Sequence, residues 1–161
     1  MELVIKQRLF SWKDRFTVKN REGEDCYFVE GEFFSWGKKL HIYDREEKEV
    51  LYIEQKLWSW LAEYSLYIDG EEQGIVRQQL TLFHPRYVIE GPDWQVEGDF
   101  WAHEYNIIEK EQVIASISKE WFSWGDSYTL SIQDESQALL ALGVVLVIDC
   151  IIAAENAAAS G

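Results

Sequence analysis

The chain has 161 residues, 47% of them hydrophobic, which is the size of one domain with a core large enough to exclude a disordered chain. Eight Trp, eight Tyr and eight Phe stand against two Pro and one Met, a composition of many strands rather than of a helical bundle. The net charge of −14 disfavours general nucleic-acid binding, because neutralising phosphates requires a surplus of Lys and Arg.

Two cysteines, Cys26 and Cys150, cannot staple a small secreted domain. Free, buried thiols are the expectation, with a single bridge as the alternative. The chain starts with Met-Glu-Leu-Val-Ile-Lys and shows no basic segment followed by an apolar stretch and a small-residue cleavage site. The expected location is therefore the cytoplasm, peripheral to a membrane at most.

Phe-Ser-Trp occurs at residues 10–12, 34–36 and 122–124, with Trp58-Ser59-Trp60 as a variant. Alignment on the third position gives anchors at Trp12, Trp36, Trp60, Leu82, His103 and Trp124, six units of about 23 residues. Each unit places an aliphatic residue on either side of its anchor. The first runs from Ile5 to Val18, and the second from Val29 to Ile42 around Trp36-Gly37-Lys38-Lys39. The third runs from Ile53 to Leu66, and the fourth from Ile75 to Val88 around His84-Pro85-Arg86. The fifth spans Val96 to Ile108, and the sixth Ile117 to Leu130 around Trp124-Gly125-Asp126. Stretches such as Phe16-Thr17-Val18-Lys19 and Leu40-His41-Ile42-Tyr43 alternate with the period of two of a half-buried strand. Turn residues separate the units at Asn20-Arg21-Glu22-Gly23, Asp69-Gly70 and Gly91-Pro92-Asp93. Six hairpins, hence twelve antiparallel strands within residues 3–134, are predicted.

The last element is apolar all round. Ala138 to Ile148 is continuously apolar or Gly, and Ile151 to Ala154 resumes the run after Asp149 and Cys150. As a helix over about 137–154 it must be buried on every face. Its apolar length of roughly 24 Å falls short of a bilayer's ~30 Å core, and no Lys or Arg beyond Lys119 anchors it. A core helix is predicted, with a tail anchor as the alternative. Twelve strands close a barrel wider than side chains alone fill, and this helix would fill it. The whole is then a mainly β fold: one domain, a twelve-stranded antiparallel closed barrel around a hydrophobic C-terminal helix, with a short disordered tail at 156–161. A two-sheet sandwich with the helix outside is the alternative.

The sequence also resembles the LURP-one-related family, whose members share the Tubby C-terminal-like fold. The resemblance covers roughly Leu3 to Ile152. It rests on Tyr27-Phe28-Val29-Glu30-Gly31, Leu40-His41-Ile42-Tyr43-Asp44 and Ile53-Glu54-Gln55-Lys56. Further matches are Val96-Glu97-Gly98-Asp99, Ile117-Ser118-Lys119-Glu120-Trp121, Tyr128-Thr129-Leu130-Ser131-Ile132, and the closing Val147-Ile148-Asp149. It implies a twelve-stranded barrel around a hydrophobic C-terminal helix. The wider superfamily includes phosphoinositide-binding Tubby proteins and phospholipid scramblases, so it also implies a phospholipid-headgroup ligand. A phosphoinositide site needs a cationic pocket, which the acidic balance of this chain does not favour.

No catalytic set and no cofactor or metal motif is legible. His41, His84 and His103 stand apart, and His103-Glu104 in a strand would point to opposite faces. His84 and His103 fall in predicted turns, where exposure is ordinary. Acidic runs such as Glu46-Glu47 look like solvated turns. The candidate binding set is cationic. Lys6, Arg8, Lys13, Arg15, Lys19 and Arg21 face only Glu2 and Asp14 up to residue 21, on a chain that is otherwise strongly acidic. They form either a patch for an anionic headgroup or acidic partner, or cross-strand charge pairs worth ~0.2–1 kcal/mol each.

The Trp residues of the repeats would either form an exposed aromatic rim or, as expected here, pack across the barrel ends. Asp149 should accept hydrogen bonds or sit at the barrel mouth. Functionally, the chain reads as a non-catalytic binding domain for a phospholipid headgroup or a protein partner, with no nucleic acid and no transmembrane span. The alternative is a scaffold with no small-molecule ligand.

Overall fold

The structure is a computed structural model that describes residues 1–6, 15–32, 36–83, 85–122 and 125–160, with residues 120–122 and 125–126 described by backbone alone. Twelve strands form in chain order. They are β1 (Glu2–Lys6), β2 (Phe16–Lys19), β3 (Asp25–Glu32), β4 (Lys39–Tyr43), β5 (Glu49–Gln55), β6 (Glu63–Ile68), β7 (Glu71–Gln79), β8 (Arg86–Glu90), β9 (Trp94–Asp99), β10 (Glu104–Glu109), β11 (Gln112–Phe122) and β12 (Gly125–Ile132). Each pairs antiparallel with its chain neighbour, and β1 pairs with β12, so the sheet is a closed barrel without an edge.

Alternation decides which side chains enter the lumen. In four units the aliphatic pairs predicted around the anchors face each other directly: Ile5 with Val18, Val29 with Ile42, Ile53 with Leu66, and Ile117 with Leu130. In the fourth unit the buried pair is Val76 and Ile89 instead, and Ile75 lies opposite Glu90. In the fifth, Val96 faces Ile107. A shift of one residue moves a side chain to the other face of a sheet, so these two units are displaced from the spacing of the rest.

Two of the turns between units are two-residue hairpin connections. Asp69 and Gly70 have φ of 51° and 79°, the two left-handed residues of a type I′ hairpin turn, and Lys110 and Glu111 form the same shape at 47° and 67°. The β1–β12 ladder is extended by Met1, whose amine donates to the Ile132 carbonyl at 2.9 Å.

After β12 a 3-10 turn (Glu135–Gln137) starts on Asp134, whose carboxylate accepts from the Ser136 N–H at 2.9 Å. The helix α1 (Ala138–Ala159) then runs up the lumen. Ala141 to Ile148 are all buried. Because no face of this segment is polar, the lumen is where a water-excluded helix of this composition is most stable. The helix continues five residues beyond the predicted 154, through Ala157–Ala159, which are strong helix formers. A disordered tail over 156–161 is therefore replaced by helix as far as residue 159. The sheet likewise begins at Glu2 rather than residue 3. Both cysteines are free, Cys150 buried and Cys26 half-buried. Burial pushes the Cys150 thiol up to about 12, which makes it unreactive.

Candidate functional site: the aromatic end of the barrel

The connections inside the six units all emerge at one end of the barrel, because strands alternate in direction. The turns between units emerge at the other. The two ends differ in chemistry. The turn end carries Glu22, Glu24, Asp44, Glu46, Glu47, Asp69, Asp93, Glu111, Asp134 and Glu135 against Arg21, Arg45, Lys48 and Lys110. At the anchor end, the described parts of the connections contain Arg15, Lys38 and Lys56 and no Asp or Glu.

Trp36, Trp58 and Trp60 are each at least 90% exposed there. Leu82, Phe83, Leu80, Trp101 and Leu57 are exposed beside them. Among the described residues, the large apolar side chains exposed at the turn end are Met1 and Val113. The expectation that the repeat tryptophans pack across the barrel end is thus corrected for Trp36 and Trp60, and for the neighbouring Trp58. The helix already fills the lumen, so no apolar cavity is left for the indoles to close. Trp12, Phe34 and Trp124 lie outside the described side chains.

Beneath this end, α1 leaves the lumen through a buried polar cluster. Asp149 accepts from the Tyr128 hydroxyl on one carboxylate oxygen, and its other oxygen is 3.2 Å from His103 Nε2. The rings of His103 and Tyr128 stack at 4.4 Å. His103 is 4% exposed, contrary to the exposed position expected of a turn residue. It ends the β9–β10 connection with φ of 54°, a left-handed conformation that turns its ring inward onto the helix. Phe100, at the start of the same connection, is buried edge-on against Tyr87 at 4.7 Å. Burial, reinforced by the charge of Asp149, drives the Tyr128 and Tyr105 phenols far above their usual range, so both stay neutral donors. Lys38 Nζ donates to the Cys150 carbonyl at 3.1 Å, and Gln78 Nε2 to Glu155 at 3.0 Å, which fixes the emerging helix against the β3–β4 connection and β7.

This cluster supports a stability prediction. Asp149→Leu leaves the Tyr128 hydroxyl and the His103 ring nitrogen without partners and should cost about 2–5 kcal/mol, whereas Asp149→Asn keeps an acceptor and should stay within about 1 kcal/mol. Urea unfolding of both variants checks this. Equal losses would show that the carboxylate's charge, not its hydrogen bonding, matters.

The cationic set is divided by the fold. Lys6 is exposed at the end of β1. Arg8 and Lys13 lie outside the described residues. Arg15 turns along the outer wall, 4.3 Å over the Phe28 ring, with Glu47 at 2.7 Å and Glu30 at 3.3 Å. Lys19 pairs with Asp25 at 2.5 Å and Arg21 with Glu2 at 2.6 Å, both at the turn end. The wall next to Arg15 continues as rings: Tyr43, His41, Tyr52 and Tyr67. His41 lies between Glu49 at 2.6 Å and Glu32 at 3.1 Å. Partial burial opposes its protonation, but the two carboxylates outweigh it and raise its pKa.

Nothing in the strand pattern distinguishes an indole that packs from one that projects, so the exposed end was not legible in sequence. The signal that was available is composition, since the connection 56–62 carries two Trp and two Leu where the turn 44–48 carries only charged residues.

The profile of the LURP-one-related family matches residues 1–149. The chain is 39% identical over 152 residues to the uncharacterized protein YxjI of Bacillus subtilis, covering 94% of each. An X-ray structure of an Arabidopsis thaliana protein superposes with a TM-score of 0.65 at 13% identity, over 92% of this chain and 90% of that one, a likeness that shows the fold alone. With its barrel, its central helix and almost its whole length matched, the chain belongs to the LURP-one-related family.

Proposed function

We propose that this protein is a non-catalytic domain that binds a phospholipid membrane surface through the aromatic end of its barrel. The observation that carries the proposal is the exposure of Trp36, Trp58, Trp60, Leu82 and Phe83 at one end. Contiguous exposed apolar groups of this kind mark interaction sites, and Trp side chains favour the interface between headgroups and acyl chains. Charge supports the same orientation. A surface with anionic lipids repels the acidic turn end and meets the end whose described connections hold no carboxylate. Lys6 and, by sequence, Arg8 and Lys13 of the β1–β2 connection supply cations to anionic headgroups, while Arg15, Lys19 and Arg21 are engaged with carboxylates of the barrel. The absence of catalysis is favoured by the lumen, since the space a barrel offers a substrate is taken by α1.

Vesicle flotation tests this. The protein should float with vesicles of zwitterionic lipid, and more of it when anionic lipid is added, with the increment lost at high salt. Protein that stays at the bottom of the gradient with every composition sinks the proposal.

A further inference from the structure

Beside the exposed Trp58, the outer wall holds a pocket of about 460 Å³ with Trp36, Trp58 and Tyr67 around it and Glu54, Lys56, Glu63 and Ser65 supplying polar groups, two carboxylates against one ammonium. Its floor follows from register. Glu54 lies opposite Ser65 and Tyr52 opposite Tyr67, so β5 and β6 present all four on the outer face. The Tyr52 and Tyr67 rings are 5.8 Å apart. Lys56, Leu57, Trp58 and Ser59 of the β5–β6 connection line the pocket as well.

Two features of the pocket are unbalanced. Ser65, one of the residues lining the pocket, is 1% exposed, and its buried hydroxyl has no hydrogen-bond partner among the described residues. Buried hydroxyls are nearly always paired, so this one has hydrogen-bonding capacity left for a group bound in the pocket. Glu63 is held by Arg77 at 3.1 Å, with Lys56 at 4.0 Å. Glu54 has no ion pair among the described residues, although Lys39 is opposite it in register.

Aromatic faces attract cations, an unpaired half-buried carboxylate does the same, and a lone hydroxyl oxygen accepts an N–H. A group that answers all three is positively charged and carries several N–H donors. The same wall already binds one cation in this way, Arg15 over Phe28 and between Glu30 and Glu47.

We propose that the pocket formed by Trp36, Trp58, Tyr67, Glu54 and Ser65 binds the primary alkylammonium of an aminophospholipid headgroup. The lipid source rests on the membrane reading above, because two of the pocket's walls, Trp36 and Trp58, belong to the end that meets the membrane. A quaternary ammonium would satisfy the rings and the carboxylate but leave Ser65 without a donor.

The probe is phosphoethanolamine, titrated into the full chain and followed through the indole N–H resonances. Saturable shifts of Trp36 and Trp58 are expected, with buried Trp94 unmoved. Phosphocholine should bind more weakly, and glycerol phosphate, which has no ammonium, should leave the spectrum unchanged. Glu54→Gln and Ser65→Ala should each weaken binding about tenfold. Ser65→Ala removes an unpaired buried hydroxyl, so its melting temperature should not fall, and its lost affinity cannot be unfolding.

Equal shifts with glycerol phosphate, or unchanged affinity in both variants, would overturn the assignment. Tighter binding of a lysine-rich peptide in the same pocket would overturn the lipid source in favour of a protein segment. Vesicle flotation without any phosphoethanolamine response overturns the pocket and leaves the membrane reading standing. A phosphoethanolamine response without flotation overturns the membrane reading and the lipid source while the ammonium site stands.

Discussion

Gly143→Leu should destabilise the protein by about 3 kcal/mol or more and lower its melting temperature by roughly 6–12 °C, the shift expected of a domain of this size. Gly143 lies in the second turn of α1, inside the helix, where a glycine costs about 0.5–1 kcal/mol relative to alanine, so its presence needs a reason. The reason is contact with the barrel wall. A Cβ at this position would come within 3.0 Å of Leu51 Cδ2 and 3.3 Å of Leu66 Cδ2, both fully buried. One methyl can be absorbed by a small movement of Leu51, and Gly143→Ala should therefore be close to neutral. An isobutyl group cannot, because the lumen is closed on every side and overpacking strains the whole ring. Adding Leu51→Ala to Gly143→Leu should recover part of the loss, since residues in direct contact do not act additively. Urea denaturation of the single and double variants measures both effects. A Gly143→Leu protein as stable as the parent would mean that α1 does not lie in the lumen in this register.

Replacing Trp58, Trp60 and Leu82 together with Ser should weaken vesicle binding by roughly three to four orders of magnitude while changing stability by no more than about 0.5 kcal/mol. All three side chains are more than 90% exposed, so the folded barrel gains little from them. Half-immersing an indole removes on the order of 100 Å² of apolar surface from water, worth about 2 kcal/mol, and the leucine adds about 1 kcal/mol. Each ~1.4 kcal/mol of the total is a factor of ten in affinity. Flotation and thermal melting of the same preparation separate the outcomes. A variant that melts early points to packing of these side chains, and one that melts normally and floats like the parent removes the aromatic end as the binding surface.

The barrel was legible because its signals are local. Alternation at Leu40 to Tyr43, turn residues at Asp69-Gly70 and a repeated anchor each reflect a few neighbouring residues, and the closing helix is apolar on every face. That Asp149 accepts hydrogen bonds or sits at the barrel mouth was also expected from its position in that helix. Its partners were not, since Tyr128 and His103 reach it from β12 and from the β9–β10 connection, and long-range juxtaposition leaves no spacing to read. The cationic set showed the same limit in reverse. Lys6 and Arg21 lie in one hairpin by sequence, yet its two ends face opposite ends of the barrel, and Arg15, Lys19 and Arg21 each meet a carboxylate that sequence spacing did not select. The pocket at Ser65 depends on two outward faces and the β5–β6 connection, so it too appears only in three dimensions.

The central claim, that the aromatic end enters a phospholipid interface, is tested most directly by tryptophan fluorescence with vesicles whose acyl chains carry bromine near the headgroup. Brominated chains quench only indoles within contact distance. Strong quenching is expected on vesicle addition, together with protection of the same indoles from aqueous iodide. Unquenched emission, with iodide access equal in the presence and absence of vesicles, would contradict it.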